Sequence, residues 1–148
     1  QTFALPYFWA AADLGGAVAL GGSLALTGGR LRARHLAEGH YNLGMARAEA
    51  GDAAGAVEAL ERALRLGLSD EVTRLIARYQ LLRAYADLGM ALEADAEARW
   101  LRRHRGTVRR WRAALAADLA MPPSRRRRDE ALIAAIEGVL DGGARHRS

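Results

Sequence analysis

Cysteine is absent from the chain, which excludes disulfides, thiolate catalysis, cysteine-ligated zinc and iron–sulfur clusters together. Lysine is absent too: all 22 basic residues are arginine, the usage of a GC-rich bacterial coding sequence. Proline is scarce, at 3 residues, and aromatics make up only 6%. A β-sandwich or barrel needs many turns and aromatic or β-branched strands, so this scarcity argues against both. What is abundant is alanine and leucine, 33 and 22 of the 148 residues, and both are strong helix formers. With 51% hydrophobic and 26% charged residues the chain can build a packed core. The expected fold is all-α.

Charge is distributed in four zones. Residues 1–36 carry a net +2, residues 37–98 a net −5, residues 99–128 a net +10 and residues 129–148 a net −2. The third zone holds 11 arginines against the single acid Asp118. It should meet something anionic, such as lipid headgroups, nucleic acid or an acidic protein face.

Between Phe3 and Thr27 the only charge is Asp13. At 1.5 Å per residue a helix over 3–27 crosses a hydrocarbon core of about 30 Å. Tyr7, Phe8 and Trp9 make an interfacial aromatic cluster, Gly28-Gly29 offers a helix stop, and RLRAR follows, which puts the C-terminal part on the cytoplasmic side. The expectation is a single-pass bacterial inner-membrane helix over residues 1–29. Ala11, Gly15, Ala19 and Ser23 place a small residue at every fourth position, a spacing that suits close approach of a partner helix. The same run also fits a soluble helix, an AVAL-GG-SLAL hairpin or an uncleaved export segment.

Residues 31–105 show helical periodicity, with breaks at Gly51-Asp52, Gly67–Asp70 and Gly89. Asp52 and Ser69 are the natural N-caps. An internal repeat aligns YNLGMARAEAGDAAGAVEALERAL with YQLLRAYADLGMALEADAEARWLR, 38 residues later. The first copy, with Leu43-Gly44, Gly51-Asp52, Ala56, Leu60, Ala63 and Leu64, resembles a tetratricopeptide repeat. Gly44 and Ala56 are small where two helices would cross. The second copy departs from the pattern, with Leu82 in place of the glycine, and it is offset by 38 residues, not the family's usual 34. The resemblance covers roughly residues 37–105 and implies antiparallel helix hairpins, which with a capping helix make an expected helical domain over residues 30–121. It also implies a peptide-binding concave face, whose matching positions are Tyr41, Met45, Glu49, Tyr79, Arg83 and Asp87. A capping helix over 107–121 would present Val108, Trp111, Leu115 and Leu119 as an apolar stripe, with Thr107 as its cap.

Arg102, Arg103, Arg105, Arg109, Arg110 and Arg112 straddle an expected turn at Gly106. Arg125, Arg126, Arg127 and Arg128 open the last segment, 122–148, a basic linker followed by a helix and tail. Arg125–Asp129 and Arg126–Glu130 pairs could relieve the repulsion between these arginines and the helix start. Anionic lipid headgroups are the first expected ligand of this zone. Nucleic acid is not the expected partner, because no helix-turn-helix, zinc or RNA-binding pattern accompanies the arginines. The four histidines are scattered, the acids read as surface charges, and neither a nucleophile motif nor a phosphate loop is present. No catalytic residue, metal site or cofactor is expected.

The leading expectation is therefore a membrane-anchored, non-catalytic scaffold or assembly subunit of an integral membrane complex. The alternatives are a soluble adaptor that binds a peptide in the Tyr41/Tyr79 groove, and a basic nucleic-acid-associated protein.

Overall fold

The computed structural model describes residues 22–145, which form six α-helices and no strand. They are α1 (Gly22–Glu49), α2 (Ala53–Leu66), α3 (Glu71–Asp87), α4 (Ala91–Arg103), α5 (Arg105–Ala117) and α6 (Pro123–Arg145). Most of the expected transmembrane segment, with Ala11, Gly15 and Ala19 of its small face, lies outside the described residues, and its end, from Gly22 on, belongs to α1. Ser23 falls within the first turn of α1. Among the described residues no helix is long and apolar enough to cross a membrane.

Local chemistry sets the helix ends. The Asp52 carboxylate accepts the Gly55 N–H at 2.9 Å and starts α2. Gly51 and Gly89, the paired turn positions of the internal repeat, both adopt positive φ, +81° and +72°. A side chain at either would be strained in that conformation. Asp70, and not Ser69, caps α3: its Oδ2 accepts from the Thr73 N–H and the Thr73 hydroxyl, each at 2.8 Å. Aspartate brings a negative charge to the helix start as well as an acceptor. Arg74 then donates to the carbonyls of Leu68 and Ser69, at 2.6 and 2.9 Å, and ties down the α2–α3 loop.

Three boundaries differ from expectation. α1 runs unbroken through Gly28-Gly29, since glycine costs only about 1 kcal/mol in a helix and no proline follows to enforce a stop. The α4–α5 break falls at His104, not Gly106, and Thr107 lies inside α5 with its hydroxyl directed at Glu71. α5 ends at Ala117, so Leu119 leaves the apolar stripe and stands 92% exposed, while Val108 and Leu115 are buried.

α1 packs along α2 and α3 along α4 as short-looped antiparallel pairs, and α2 also packs on α3. One core cluster joins the two pairs through Ala37, Ala56, Leu60, Ala63, Leu68, Ala77, Leu81, Ala84 and Tyr85. Gly44 permits this approach: a Cβ there would lie 2.5 Å from Leu60 Cγ and 2.7 Å from Leu60 Cδ2. A second cluster gathers Leu75 and Tyr79 of α3, Leu101 of α4, Val108 and Leu115 of α5, and Ile133 and Ile136 of α6. The last segment thus contributes to the core: Ile133 and Ile136 are fully buried. α6 starts with Pro123, whose missing N–H costs nothing in a first helical turn.

Candidate functional site

The α1–α2 turn and α3 enclose a groove of about 250 Å³, lined by Met45, Glu49, Gln80, Arg83 and Asp87 over a floor that includes Ala48, Ala53 and Ala84. Positions 45, 48 and 49 share one face of α1, and positions 80, 83, 84 and 87 share one face of α3, each set following the three-and-four spacing of a helix. The floor is small side chains because the core beneath is built from close helix approach. The Arg47 guanidinium donates to the Gly55 carbonyl at 3.1 Å and fixes the turn at the groove's end. Two carboxylates and one guanidinium therefore border an apolar centre supplied by Met45 and the alanines. The groove thus offers an apolar contact surface with a net negative border.

Of the six groove positions expected from the family resemblance, four meet here: Met45, Glu49, Arg83 and Asp87. Tyr41 is half-buried against the first core cluster, and burial, with the Asp70 charge adding to it, pushes its phenol well above the ordinary value. Tyr79 is buried in the second cluster, on the other side of α3, and is not a groove residue. Arg83 links the two sides, its guanidinium standing 6.0 Å from the Tyr79 ring. Gln80 was missed because the repeat alignment fixes attention on Tyr79. The spacing of 80, 83, 84 and 87 was the available signal.

A polar cluster on the α3–α4 side had no counterpart in the sequence reading. Glu97 was expected on the surface with the other acids, but it is buried and accepts from Arg78 through both carboxylate oxygens, each at 3.2 Å. Burial raises the Glu97 pKa above the ordinary carboxylate value, against the opposing charge and hydrogen bond of Arg78. Arg78 also lies 5.2 Å from the centre of the Trp100 ring, and Trp100 stacks on His104 at 3.7 Å. Beside them the Tyr85 hydroxyl donates to Glu61 at 2.6 Å. The Arg78–Glu97 and Tyr85–Glu61 contacts each join two helices and brace them together, while the buried Arg78 Nε has no hydrogen-bond partner among the described residues.

The arginine zone is not a single patch. Arg110 donates to Glu71 at 2.6 Å, and that contact, after the Thr107 hydroxyl, holds the Glu71 carboxyl below its ordinary value. Arg112 pairs with Glu137. Among the described residues Arg126 pairs with no anion and does not reach Glu130: it donates to the Leu115 carbonyl at 2.7 Å and to the Asp118 carbonyl, closing the end of α5. The remaining arginines fall into two groups. Arg102, Arg103, Arg105 and Arg109 sit at or near the α4–α5 elbow, and Arg125, Arg127 and Arg128 sit at the start of α6. Because Arg126 anchors the start of α6 to the far end of α5, the 13-residue length of α5, about 20 Å, lies between the elbow and the start of α6.

Among the described residues no group of three or more His, Asp or Glu side chains could hold a metal ion. Comparison with family models, curated proteins and solved structures finds no match to this chain.

Proposed function

We propose that the chain is a non-catalytic adaptor, built from two tetratricopeptide-like hairpins, which binds a protein segment in the groove between α1 and α3. The groove itself carries this reading: four residues drawn from two helices converge on one apolar, charge-bordered trough over a floor of alanines. Supporting the repeat reading are the paired helices, the left-handed glycines at Gly51 and Gly89, and the Gly44–Leu60 crossing. The apolar run over residues 3–27 supports attachment to a membrane and, with it, service as an assembly subunit of a membrane complex. In that arrangement RLRAR lies within α1 at the cytoplasmic interface.

The test is co-purification from the membrane fraction in mild detergent. Arg83→Glu combined with Asp87→Arg swaps the groove's charges at two exposed positions, so it should lose the partner while the chain stays folded. Retention of the partner at the wild-type level, with the fold intact by circular dichroism, overturns the groove reading. Complete extraction of the wild-type chain by alkaline carbonate overturns the membrane attachment and leaves the soluble adaptor.

A further inference from the structure

We propose that the elbow between α4 and α5 is a binding site for a phosphate group. Arg99, Arg102, Arg103 and Arg105 line one open depression of about 310 Å³. It forms because α4 ends at Arg103 and α5 begins at Arg105, with His104 alone between them. The stack of Trp100 on His104, together with the His104 Nδ1 contact to the Trp100 carbonyl at 2.8 Å, stiffens that junction.

Charge at the elbow is left uncompensated. Asp95 holds Arg99 at 3.0 Å, one helical turn away. The Arg105 Nε donates to the Arg102 carbonyl at 3.2 Å, which positions its side chain while using only one of its donors. Arg102 and Arg103 meet no carboxylate among the described residues, and Arg102 is half-buried. Four guanidinium groups thus share one carboxylate. A half-buried charge without a partner is costly, and an external anion relieves that cost.

The start of α5 adds to the same demand. No side chain caps it and no acid occupies its first turn. Gly106 leaves the backbone approachable: an added Cβ would meet only the Arg110 side chain, at 3.4 Å. Guanidinium forks and open helix N–H groups together match the several oxygens of an anionic phosphate group better than the two oxygens of a carboxylate. The phosphate could belong to a soluble phosphate ester or to a lipid headgroup. The site is distinct from the groove and does not depend on it.

Thermal unfolding of the full chain in neutral detergent tests the proposal, because a ligand of the folded state raises Tm in a saturable way. The probes are inorganic pyrophosphate, monomeric dihexanoyl phosphatidylglycerol and its phosphatidylcholine counterpart, each against sodium chloride at matched ionic strength. A saturable rise with pyrophosphate assigns a soluble phosphate ester. A rise with phosphatidylglycerol alone assigns a headgroup. Arg102→Gln with Arg105→Gln should weaken binding about tenfold or more, since each lost charge-assisted hydrogen bond is worth about that factor. Arg127→Gln with Arg128→Gln should leave it unchanged. Arg102→Lys keeps the charge and the fold but loses the fork, and should give an intermediate affinity. No rise beyond that of sodium chloride, or equal weakening by both double variants, overturns the site.

Discussion

The two core clusters are built on opposite principles. The first, where α1 and α2 meet α3, is rich in alanine: Ala37, Ala56, Ala63, Ala77 and Ala84 bring helix backbones close together. The second, where α3 meets α4, α5 and α6, is filled by large aliphatic side chains, among them Leu75, Leu101, Ile133 and Ile136. α3 serves both, Ala77, Leu81 and Ala84 on one side and Leu75 and Tyr79 on the other. The difference explains where the groove lies. Close approach over small residues leaves a trough with an alanine floor. Added volume should therefore damage the first region, and removed volume the second.

The largest effect is expected in the second cluster. Ile136→Ala, at a fully buried position, should cost about 2–5 kcal/mol by loss of burial plus an unfilled cavity. Chemical denaturation would show this as a lower midpoint with an unchanged slope. Next comes added volume in the first cluster. Gly44→Leu must displace Leu60, which is itself fully buried, at a cost of about 1–3 kcal/mol. An unchanged melting temperature in that variant would mean that the tight crossing does not form.

A smaller effect should follow from the arginine that the sequence pattern misassigns. Arg126→Gln removes the donor to the Leu115 and Asp118 carbonyls and should cost about 1 kcal/mol. Hydrogen exchange should show it as faster exchange confined to the end of α5 and the start of α6. Arg127→Gln should change neither stability nor exchange.

The smallest effects are in pH dependence, where two glutamates differ in sign. Glu97 has a folded-state pKa raised above 4.5, chiefly by burial, so the folded chain takes up this proton before the unfolded chain does. As pH falls towards 4.5, wild type should gain stability relative to Glu97→Gln. Glu71 has its value lowered, chiefly by the Thr107 hydroxyl and then by Arg110. Its contribution is present above the ordinary carboxylate value and lost as pH falls below it, so wild type should lose stability relative to Glu71→Gln there. Denaturation midpoints across that range would check both signs.

Features set by local chemistry were legible in the sequence. Asp52 as a cap, the glycine turns at 51 and 89, and the small residue at Gly44 each follow from a neighbouring residue's needs. Four of the six positions implied by the resemblance to the repeat family, Met45, Glu49, Arg83 and Asp87, line the groove. Tyr79 was misplaced because both faces of α3 are buried, and periodicity alone does not say which face meets which core. Arg126 was read against the acids four residues on, whereas its acceptors are carbonyls beyond the preceding turn. The Arg78–Glu97 pair joins positions 19 residues apart on different helices, a relation that no local pattern encodes. Leu119 shows how a stripe fails when its helix ends early, at Ala117.

The central claim is that the trough over Ala48, Ala53 and Ala84 holds a segment of another protein, and photo-cross-linking tests it most directly. A photoreactive residue placed at Met45 should, in intact cells, give a discrete higher-mass adduct containing a second polypeptide. That adduct should disappear in the Arg83→Glu, Asp87→Arg background. The same residue placed at Leu119, exposed and distant in sequence from the groove, should give none. An adduct of equal yield from both positions, or none from Met45 in a folded chain, would contradict the account.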